Sequence, residues 1–219
     1  ASLKQLRTDY VDIYWIHAWD QITPIEEVMR ALDDAVRAGK VLYVGVSEWK
    51  ASQISEAVAM QRELGYDRFV SSQPEYSMLW RVIEEEVVPT SEELGLSQIV
   101  WSPMAQGVLT GKYLGGAKPP GARLTVSDRL PRYNGEQAQK ALAEYVALAK
   151  AHDLDPAQMA IAWVLRDSRV TSALIGASSV AQLDYNVAAL DDLVMTGPTG
   201  TNANDVRIVL IGGQVVARA

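Results

Sequence analysis

The feature that most constrains the fold of this chain is the alternation of short apolar segments with longer amphipathic ones. Five segments have the β-branched and aromatic content of strands, and each is followed by a segment with helical periodicity. Strand, helix and strand in that order predict parallel strands joined by helical crossovers. The predicted strands are Tyr10–His17, Val41–Ser47, Phe69–Gln73, Ser97–Ser102 and Ser172–Ser178.

The predicted helices begin and end at typical boundary residues. In the first, we expect Thr23 to cap the helix, Pro24 to take the first helical position and Gly39 to follow the end. In the third we expect Pro89 to interrupt the helix, and in the fifth we expect Asp155 to act as the cap. The predicted helical segments are 23–39, 51–65, 81–95, 136–152, 155–167 and 179–190.

These five strand–helix units predict an α/β fold of one of two kinds. A doubly wound sheet and a (β/α)8 barrel both explain strands that are apolar along most of their length. Five units are fewer than the eight of a closed barrel.

Composition excludes several classes of function. The formal net charge of −7 argues against nucleic acid or an anionic membrane surface as a partner. The chain has no cysteine and two histidines without metal-site spacing, so we expect no metal site. No apolar run approaches the roughly 20 residues of a transmembrane helix, and the N-terminus lacks the apolar core of a signal peptide. We expect a soluble, cytoplasmic protein.

Polar and aromatic residues follow the predicted strands at the point where each strand ends. Both candidate folds bind ligands at the carboxyl ends of their strands, so these residues predict the site. A single serine or glutamine in such a place commonly caps a helix, but five strands ending in this way indicate a binding edge. The residues are His17, Ser47 to Trp49, Gln73, Trp101 with Ser102, and Gly176 to Ser178.

Five sequence blocks resemble, in order, the signature blocks of the aldo-keto reductase superfamily. They are DYVDIYWIHAWD, AGKVLYVGVSEW, SSQPEYSML, WSPMAQGVLTGKYL and LIGASSVAQLDYN, and the resemblance runs from about Leu3 to Leu193. The branch that they resemble most holds bacterial reductases related to potassium-channel β-subunits. The resemblance implies a (β/α)8 barrel that binds NADPH and reduces small aldehydes or ketones by hydride transfer.

The resemblance also implies roles for individual residues. His17 matches the histidine that orients the substrate carbonyl, and Ser47 and Gln73 match the residues that hold the nicotinamide carboxamide. Trp101 matches the aromatic ring that stacks on the nicotinamide. Lys112 and Arg123 match phosphate contacts, including a 2′-phosphate, which favours NADP over NAD. The remaining cofactor-binding matches are Ser102, Pro103, Met104, Gln106 and Gly107 around the pyrophosphate, with Gly176, Ser178, Gln182 and Asn186 on the adenosine side.

The sequence departs from the family pattern in three respects. Glu48 stands where many members have asparagine, and Tyr185 stands where glutamate is frequent. The tyrosine, lysine and aspartate that complete the family's catalytic tetrad precede the strand that carries the histidine. The resemblance therefore implies an N-terminally truncated, partial barrel without the first three units, which as given is catalytically incomplete. The alternative is a non-enzymatic nucleotide-binding or oligomeric interaction module derived from such a barrel.

The C-terminal residues form a separate predicted region. We expect a partial barrel over residues 1–193 and a linker with a β-prone tail over residues 194–219. Val206–Ile211 and Gln214–Arg218 flank Gly212 and Gly213, a pattern that predicts a β-hairpin. Because a partial barrel exposes the edges of its end strands, we expect the tail or those edges to support homo-oligomer contacts.

Overall fold

A computed structural model describes residues 2–126, 133, 135–177 and 179–193. These residues divide into two compact units. The first comprises the described residues up to Pro74 together with Val82–Ile99, and the second comprises Glu75–Arg81 with the described residues from Val100 onward. The predicted tail of residues 194–219 lies outside the described residues.

The first unit contains three complete strands and the start of a fourth. The strands are β1 (Val11–Ile16), β2 (Val41–Val46), β3 (Phe69–Ser72) and β4 (Ser97–Trp101), whose last two residues belong to the second unit. All three strand pairs are parallel, with Ile16 beside Val46, Val46 beside Ser72 and Ser72 beside Gln98. The helices are α1 (Ser2–Leu6), α2 (Ile25–Arg37), α3 (Ala51–Leu64) and α4 (Val87–Leu94).

The core of the first unit combines one face of the sheet with the apolar faces of α2 and α3. Met29 and Leu32 of α2 and Ile54 and Val58 of α3 are buried in one cluster with strand residues. This is the pattern expected when an amphipathic helix covers a strand, and each buried large side chain contributes about 1.5–3 kcal/mol. The strand residues in the cluster include Val41, Val44, Val46 and Phe69.

The described part of the second unit contains the end of β4, the strand β5 (Val170–Leu174), four α-helices and the 3-10 helices Ala105–Thr110 and Leu114–Gly116. The helices are α5 (Arg123–Val126), α6 (Glu136–Ala151), α7 (Pro156–Leu165) and α8 (Val180–Leu193). Its main core packs Val108 and Leu109 of the segment after β4 against Leu142 and Tyr145 of α6 and Ala160 of α7. The long loop after β4 is therefore anchored by apolar contacts with two helices.

The order of strands in the sheet is β1-β2-β3-β4-β5, the same as their order in the chain. This confirms the α/β class. A doubly wound sheet reverses its order at a switch point, whereas consecutive units of a (β/α)8 barrel do not. The sheet therefore has the topology of a partial (β/α)8 barrel, with β1 and β5 as the end strands of the described sheet.

Several predicted boundaries differ from the structure. The prediction that Thr23 caps α2 is wrong: Pro24 is the N-cap, and the Thr23 hydroxyl donates instead to Oδ2 of Asp20 at 2.6 Å. Pro89 does not break α4, because it lies in the first turn, where a missing N–H costs nothing. The cap at Asp155 is confirmed, since its Oδ1 accepts from the N–H groups of Ala157 and Gln158.

Candidate functional site

Three residues predicted for the site follow the strands of the first unit directly. His17 follows β1, Ser47 follows β2 and Gln73 follows β3. The N–H of Ser47 donates to the carbonyl of Ile16 at 2.8 Å, and the N–H of Gln73 donates to the carbonyl of Val46 at 2.8 Å. The parallel ladder thus continues one residue beyond the strands, and it places the three residues on neighbouring strand ends.

The side chain of Ser47 is fixed by a further hydrogen bond. Ser47 is buried, and its hydroxyl donates to the carbonyl oxygen of Gln73 at 2.8 Å. A hydroxyl that donates in this way keeps its lone pairs as acceptors. Toward a ligand, Ser47 therefore presents an oxygen that accepts from an N–H group.

His17 and Gln73 line one cleft of about 960 Å³ in the first unit. His17 is exposed, and the rest of the lining is mostly apolar. An apolar cleft with a few polar groups in its lining suits a small organic ligand. Apolar side chains from three elements line it, among them Leu3, Leu6, Ile13, Trp15, Val28 and Ala31.

Trp15 reaches from β1 across β2 to β3, and it also lines this cleft. Its indole Nε1 donates to the hydroxyl of Ser71 at 2.9 Å, across the middle strand β2. A Cβ atom on Gly45 would lie 2.6 Å from the Trp15 ring and 2.8 Å from the Ser71 hydroxyl. The strand therefore needs glycine at position 45 because the indole occupies the space of a side chain.

The loop after His17 is ordered by Asp20 and by an aromatic contact. Asp20 accepts from the Thr23 hydroxyl and from the N–H of Ile22, and these two bonds lower the pKa of its carboxyl group. Trp19 packs edge-on against Trp49, with ring centroids 4.7 Å apart. The loops that follow β1 and β2 are thereby joined to each other.

In the second unit, the residues predicted to surround the pyrophosphate form a turn with left-handed backbone. Trp101 ends β4, and its carbonyl accepts from the N–H of Tyr76 at 3.1 Å. Left-handed conformations at non-glycine residues are uncommon and cluster at functional sites. Within residues 102–107, four residues have positive φ: Ser102 (59°), Ala105 (48°), Gln106 (58°) and Gly107 (94°).

The positively charged amine of Lys112 lies against Gly107 of this turn. A Cβ atom on Gly107 would lie 3.2 Å from the Lys112 amine, so the amine rests directly over the glycine backbone. The amine also lies 5.2 Å from the centroid of the Tyr113 ring, a cation–π contact that orients it. A cation held over a left-handed turn can bind an anionic group.

The remaining predicted residues lie on other elements of the second unit. Gly176 lies between β5 and α8 and is exposed, Arg123 begins α5 and is exposed, and Gln182 lies in the first turn of α8. Asn186 is buried, and its side-chain Nδ2 has no hydrogen-bond partner among the described residues. Ser178 lies outside the described residues.

Tyr185, the departure from the family pattern on α8, interacts with α7. Its backbone carbonyl accepts from Gln158 Nε2 at 2.9 Å. Although Tyr185 is 44% exposed, partial desolvation of its hydroxyl and the nearby Asp155 carboxylate raise the pKa of this group to about 12. Tyr185 is therefore neutral at physiological pH.

Sequence reasoning missed the left-handed backbone at four non-glycine residues of the site, which are Glu48, Ser102, Ala105 and Gln106. Ala105 and Glu48 are left-handed, with φ of 48° and 56°, although neither residue type favours that conformation. The only sequence signal nearby is Gly107, because glycine is the usual residue in such turns.

Two general findings concern the part of the chain that the structure describes. None of its helices is long and apolar enough to cross a membrane. No group of three or more histidine, aspartate and glutamate side chains in it could hold a metal ion.

Comparison with known sequences gives one family. The sequence model described as "Aldo/keto reductase family" matches residues 1–196. This confirms the resemblance inferred from the signature blocks.

Curated relatives match most of the chain. The chain is 40% identical over 206 residues to "Protein tas" of Escherichia coli strain K12, covering 86% of this chain and 60% of that protein. It is 38% identical over 201 residues to "L-glyceraldehyde 3-phosphate reductase" of the same strain, covering 89% and 58%. It is 37% identical over 202 residues to "Probable voltage-gated potassium channel subunit beta" of Arabidopsis thaliana, covering 90% and 62%. The chain thus spans about three fifths of the length of these relatives.

Proposed function

The chain belongs to the aldo/keto reductase family, and on that basis we propose that it is an oxidoreductase that uses NADP(H) to reduce aldehydes or ketones. One of the similar proteins has a name that fits this class, since it is named as a reductase of a phosphorylated aldehyde. The substrate class proposed here is a small carbonyl compound that enters the apolar cleft beside His17.

The observation that carries the proposal is the turn after β4. Its left-handed residues and the Lys112 amine over Gly107 make a compact place for an anion, which suits the pyrophosphate of a dinucleotide. Asn186 supports the proposal independently, because a buried amide without a partner in the described chain is costly unless a ligand satisfies it. The residues present therefore fit a nucleotide cofactor.

Other residues of the second unit have proposed contacts with the same cofactor. The Trp101 ring offers a flat face to an aromatic ring. Ser102, Pro103, Met104 and Gln106 would surround the pyrophosphate through their backbone, and Arg123 would bind a 2′-phosphate. Gly176, Ser178, Gln182 and Asn186 would contact the adenosine side.

In the first unit, we assign the polar strand ends to the reacting part of the site. The chemistry that a reduced nicotinamide supplies when bound is hydride donation to a carbonyl carbon. Ser47 would accept a hydrogen bond from the carboxamide N–H, because its own proton is donated to the Gln73 carbonyl. The Gln73 side chain would bind the same carboxamide. His17, exposed in the cleft, would orient the substrate by donating an N–H to the carbonyl oxygen.

A second candidate function is a nucleotide-binding or interaction module without turnover. The similarity to a protein named as a potassium-channel β-subunit favours it, because that name describes an assembly partner rather than a reaction. Cofactor binding is common to both candidates, so turnover separates them.

The experiment combines a binding titration with a turnover assay on the full chain. We expect saturable quenching of tryptophan fluorescence by NADPH and consumption of NADPH with a small aldehyde. His17→Ala should lower turnover about 100-fold and leave the Kd for NADPH unchanged, since His17 is assigned to the substrate. The matched control is His152→Ala, which alters the other histidine, an exposed residue that follows α6.

The outcomes distinguish the candidates. Saturable binding without turnover favours a nucleotide-binding module, whereas absence of binding contradicts the reductase and leaves only an interaction module. The preference for NADP(H) is tested separately with Arg123→Ala, which should weaken binding of NADPH but not of NADH. Equal weakening of both would contradict the assignment of Arg123 to the 2′-phosphate.

A further inference from the structure

Glu75 is a buried acidic residue outside the groups proposed to contact the cofactor. It is 3% exposed and begins the short segment Glu75–Arg81 of the second unit. Its backbone pairs with Trp101 in an isolated parallel bridge, and the next N–H, that of Tyr76, donates to the Trp101 carbonyl at 3.1 Å. Glu75 is therefore fixed beside the residue at which β4 ends and the long loop begins.

The side chain of Glu75 reaches the other end of the same loop. Its Oε1 accepts from the hydroxyl of Tyr133 at 3.2 Å, a bond between residues 58 positions apart in the chain. Tyr133 is 2% exposed and packs in the main core of the second unit. Its backbone carbonyl accepts from Nε2 of Gln139 in α6 at 3.3 Å. Tyr133 is thus held both at its hydroxyl and at its backbone, shortly before α6 begins.

One residue therefore fastens both ends of the loop that carries the proposed phosphate contacts. The left-handed turn and Lys112 follow the Trp101 end, and Arg123 comes later in the chain, before Tyr133. Bringing the ends of a long segment together costs conformational entropy, and a buried hydrogen bond between them offsets part of that cost. A loop whose ends are already fixed loses less freedom when a ligand binds.

We infer that Glu75 is a positioning residue for the cofactor: through Tyr133 it holds the loop in the arrangement that binds the phosphates, and it thereby slows release of the dinucleotide. This inference rests on the proposed function, because it takes the turn after β4, Lys112 and Arg123 to contact the cofactor. Differences in affinity between variants of one site lie mostly in the dissociation rate, so we expect the effect there.

The test measures the dissociation rate of NADPH from the full chain by stopped-flow displacement with excess NADP+, followed by tryptophan fluorescence. Tyr133→Phe keeps the ring in the core and removes only the hydroxyl. We expect NADPH to dissociate about fivefold faster, with little change in the association rate. Glu75→Gln keeps an oxygen that accepts the same bond, so its rate should stay within about twofold of the wild type.

The matched control is Tyr145→Phe in the same core. The Tyr145 hydroxyl also donates to an oxygen, the carbonyl of Pro156, but this bond joins α6 to the start of α7 rather than the two ends of the loop. Urea denaturation should show a loss of free energy of unfolding in both tyrosine variants, whereas only Tyr133→Phe should speed release. This difference separates positioning of the loop from general stability of the core.

Each outcome decides the inference. An unchanged rate in Tyr133→Phe, or an equal increase in Tyr145→Phe, would overturn it. Fast release from Glu75→Gln without fast release from Tyr133→Phe would also overturn it, because Glu75 would then act otherwise than through Tyr133. If Tyr133→Phe does not fold, Glu75→Met, which removes the acceptor at similar size, should give the same increase, and an unchanged rate there would contradict the inference. A wild-type chain that does not bind NADPH would instead overturn the proposed reductase together with the inference.

Discussion

The strand ends of the first unit and the turn after β4 in the second unit display polar groups in different ways. At the ends of β1, β2 and β3 the parallel ladder runs on by one residue, and regular register brings His17, Ser47 and Gln73 onto neighbouring strands. After β4 the chain leaves regular geometry, and its left-handed backbone makes the binding surface. In the first region, side chains on regular backbone supply the polar groups for a ligand. In the second region, the backbone conformation of the turn shapes the binding surface.

Gly45 in the first region and Gly107 in the second are both required as glycine, but for different physical reasons. Gly45 has no positive φ but has no room for a Cβ atom, because the Trp15 ring and the Ser71 hydroxyl lie within 2.8 Å of that place. Gly107 needs its φ of 94°, and its nearest neighbour is the flexible Lys112 amine. Glycine is required by packing in the first case and mainly by conformation in the second.

Gly45→Ala should disrupt packing at the strand ends of the first unit, and we expect it to cause the largest loss of free energy of unfolding. The added methyl group must displace an indole that is bonded to Ser71, and overpacking of this kind costs about 3 kcal/mol in free energy of unfolding. Urea denaturation of the full chain measures the loss. Gly176→Ala is the control, since this exposed glycine has nothing within 4 Å of an added Cβ atom and its φ is not positive. A loss of less than about 0.5 kcal/mol would show that Trp15 moves aside easily.

Gly107→Ala should sharpen the comparison through an effect on binding. Alanine is strained at this φ, and its methyl group would push the Lys112 amine away from the turn. We expect the Kd for NADPH to rise about tenfold, equivalent to about 1.4 kcal/mol. Gly115→Ala carries a similar strain at φ of 68° but has open space around it, so it controls for the backbone effect. Equal losses in the two variants would contradict the role given to Lys112.

The smallest expected effect on stability concerns the turn before β5, which is held by an ion pair. Before β5, the carboxylate of Asp167 accepts from the N–H and the guanidinium of Arg169, and this contact lowers the pKa of Asp167. A carboxyl whose pKa is lower in the folded state stabilises the fold above its ordinary value near 3.8, and the contribution disappears as the pH falls through the lower folded value. Because the pair is partly exposed, we expect less than about 1 kcal/mol.

The measurement for this prediction is the thermal midpoint of wild type and Asp167→Asn as a function of pH. The wild type should be the more stable at neutral pH, and the difference should shrink below about pH 4 as the carboxyl is protonated. High salt should reduce the difference at neutral pH as well. A difference that persists at low pH would assign the effect to shape rather than to charge.

The sequence by itself determined the parts of this protein that depend on local pattern. Five apolar segments with intervening amphipathic helices predicted the α/β class and the parallel strands, and all five strands are present within a few residues of their predicted bounds. The signature blocks identified the family, and the strand ends named His17, Ser47 and Gln73. These signals are readable because strand and helix periodicity is written in consecutive residues.

The tertiary structure alone decided the features that depend on distant contacts. The Trp15–Ser71 bond joins residues 56 positions apart and creates the requirement for glycine at position 45. Thr23 bonds to Asp20 instead of capping α2, and Glu48 and Ala105 adopt a conformation that their residue types disfavour. Local propensity amounts to about 1 kcal/mol or less per residue, so packing and hydrogen bonds from elsewhere in the fold override it.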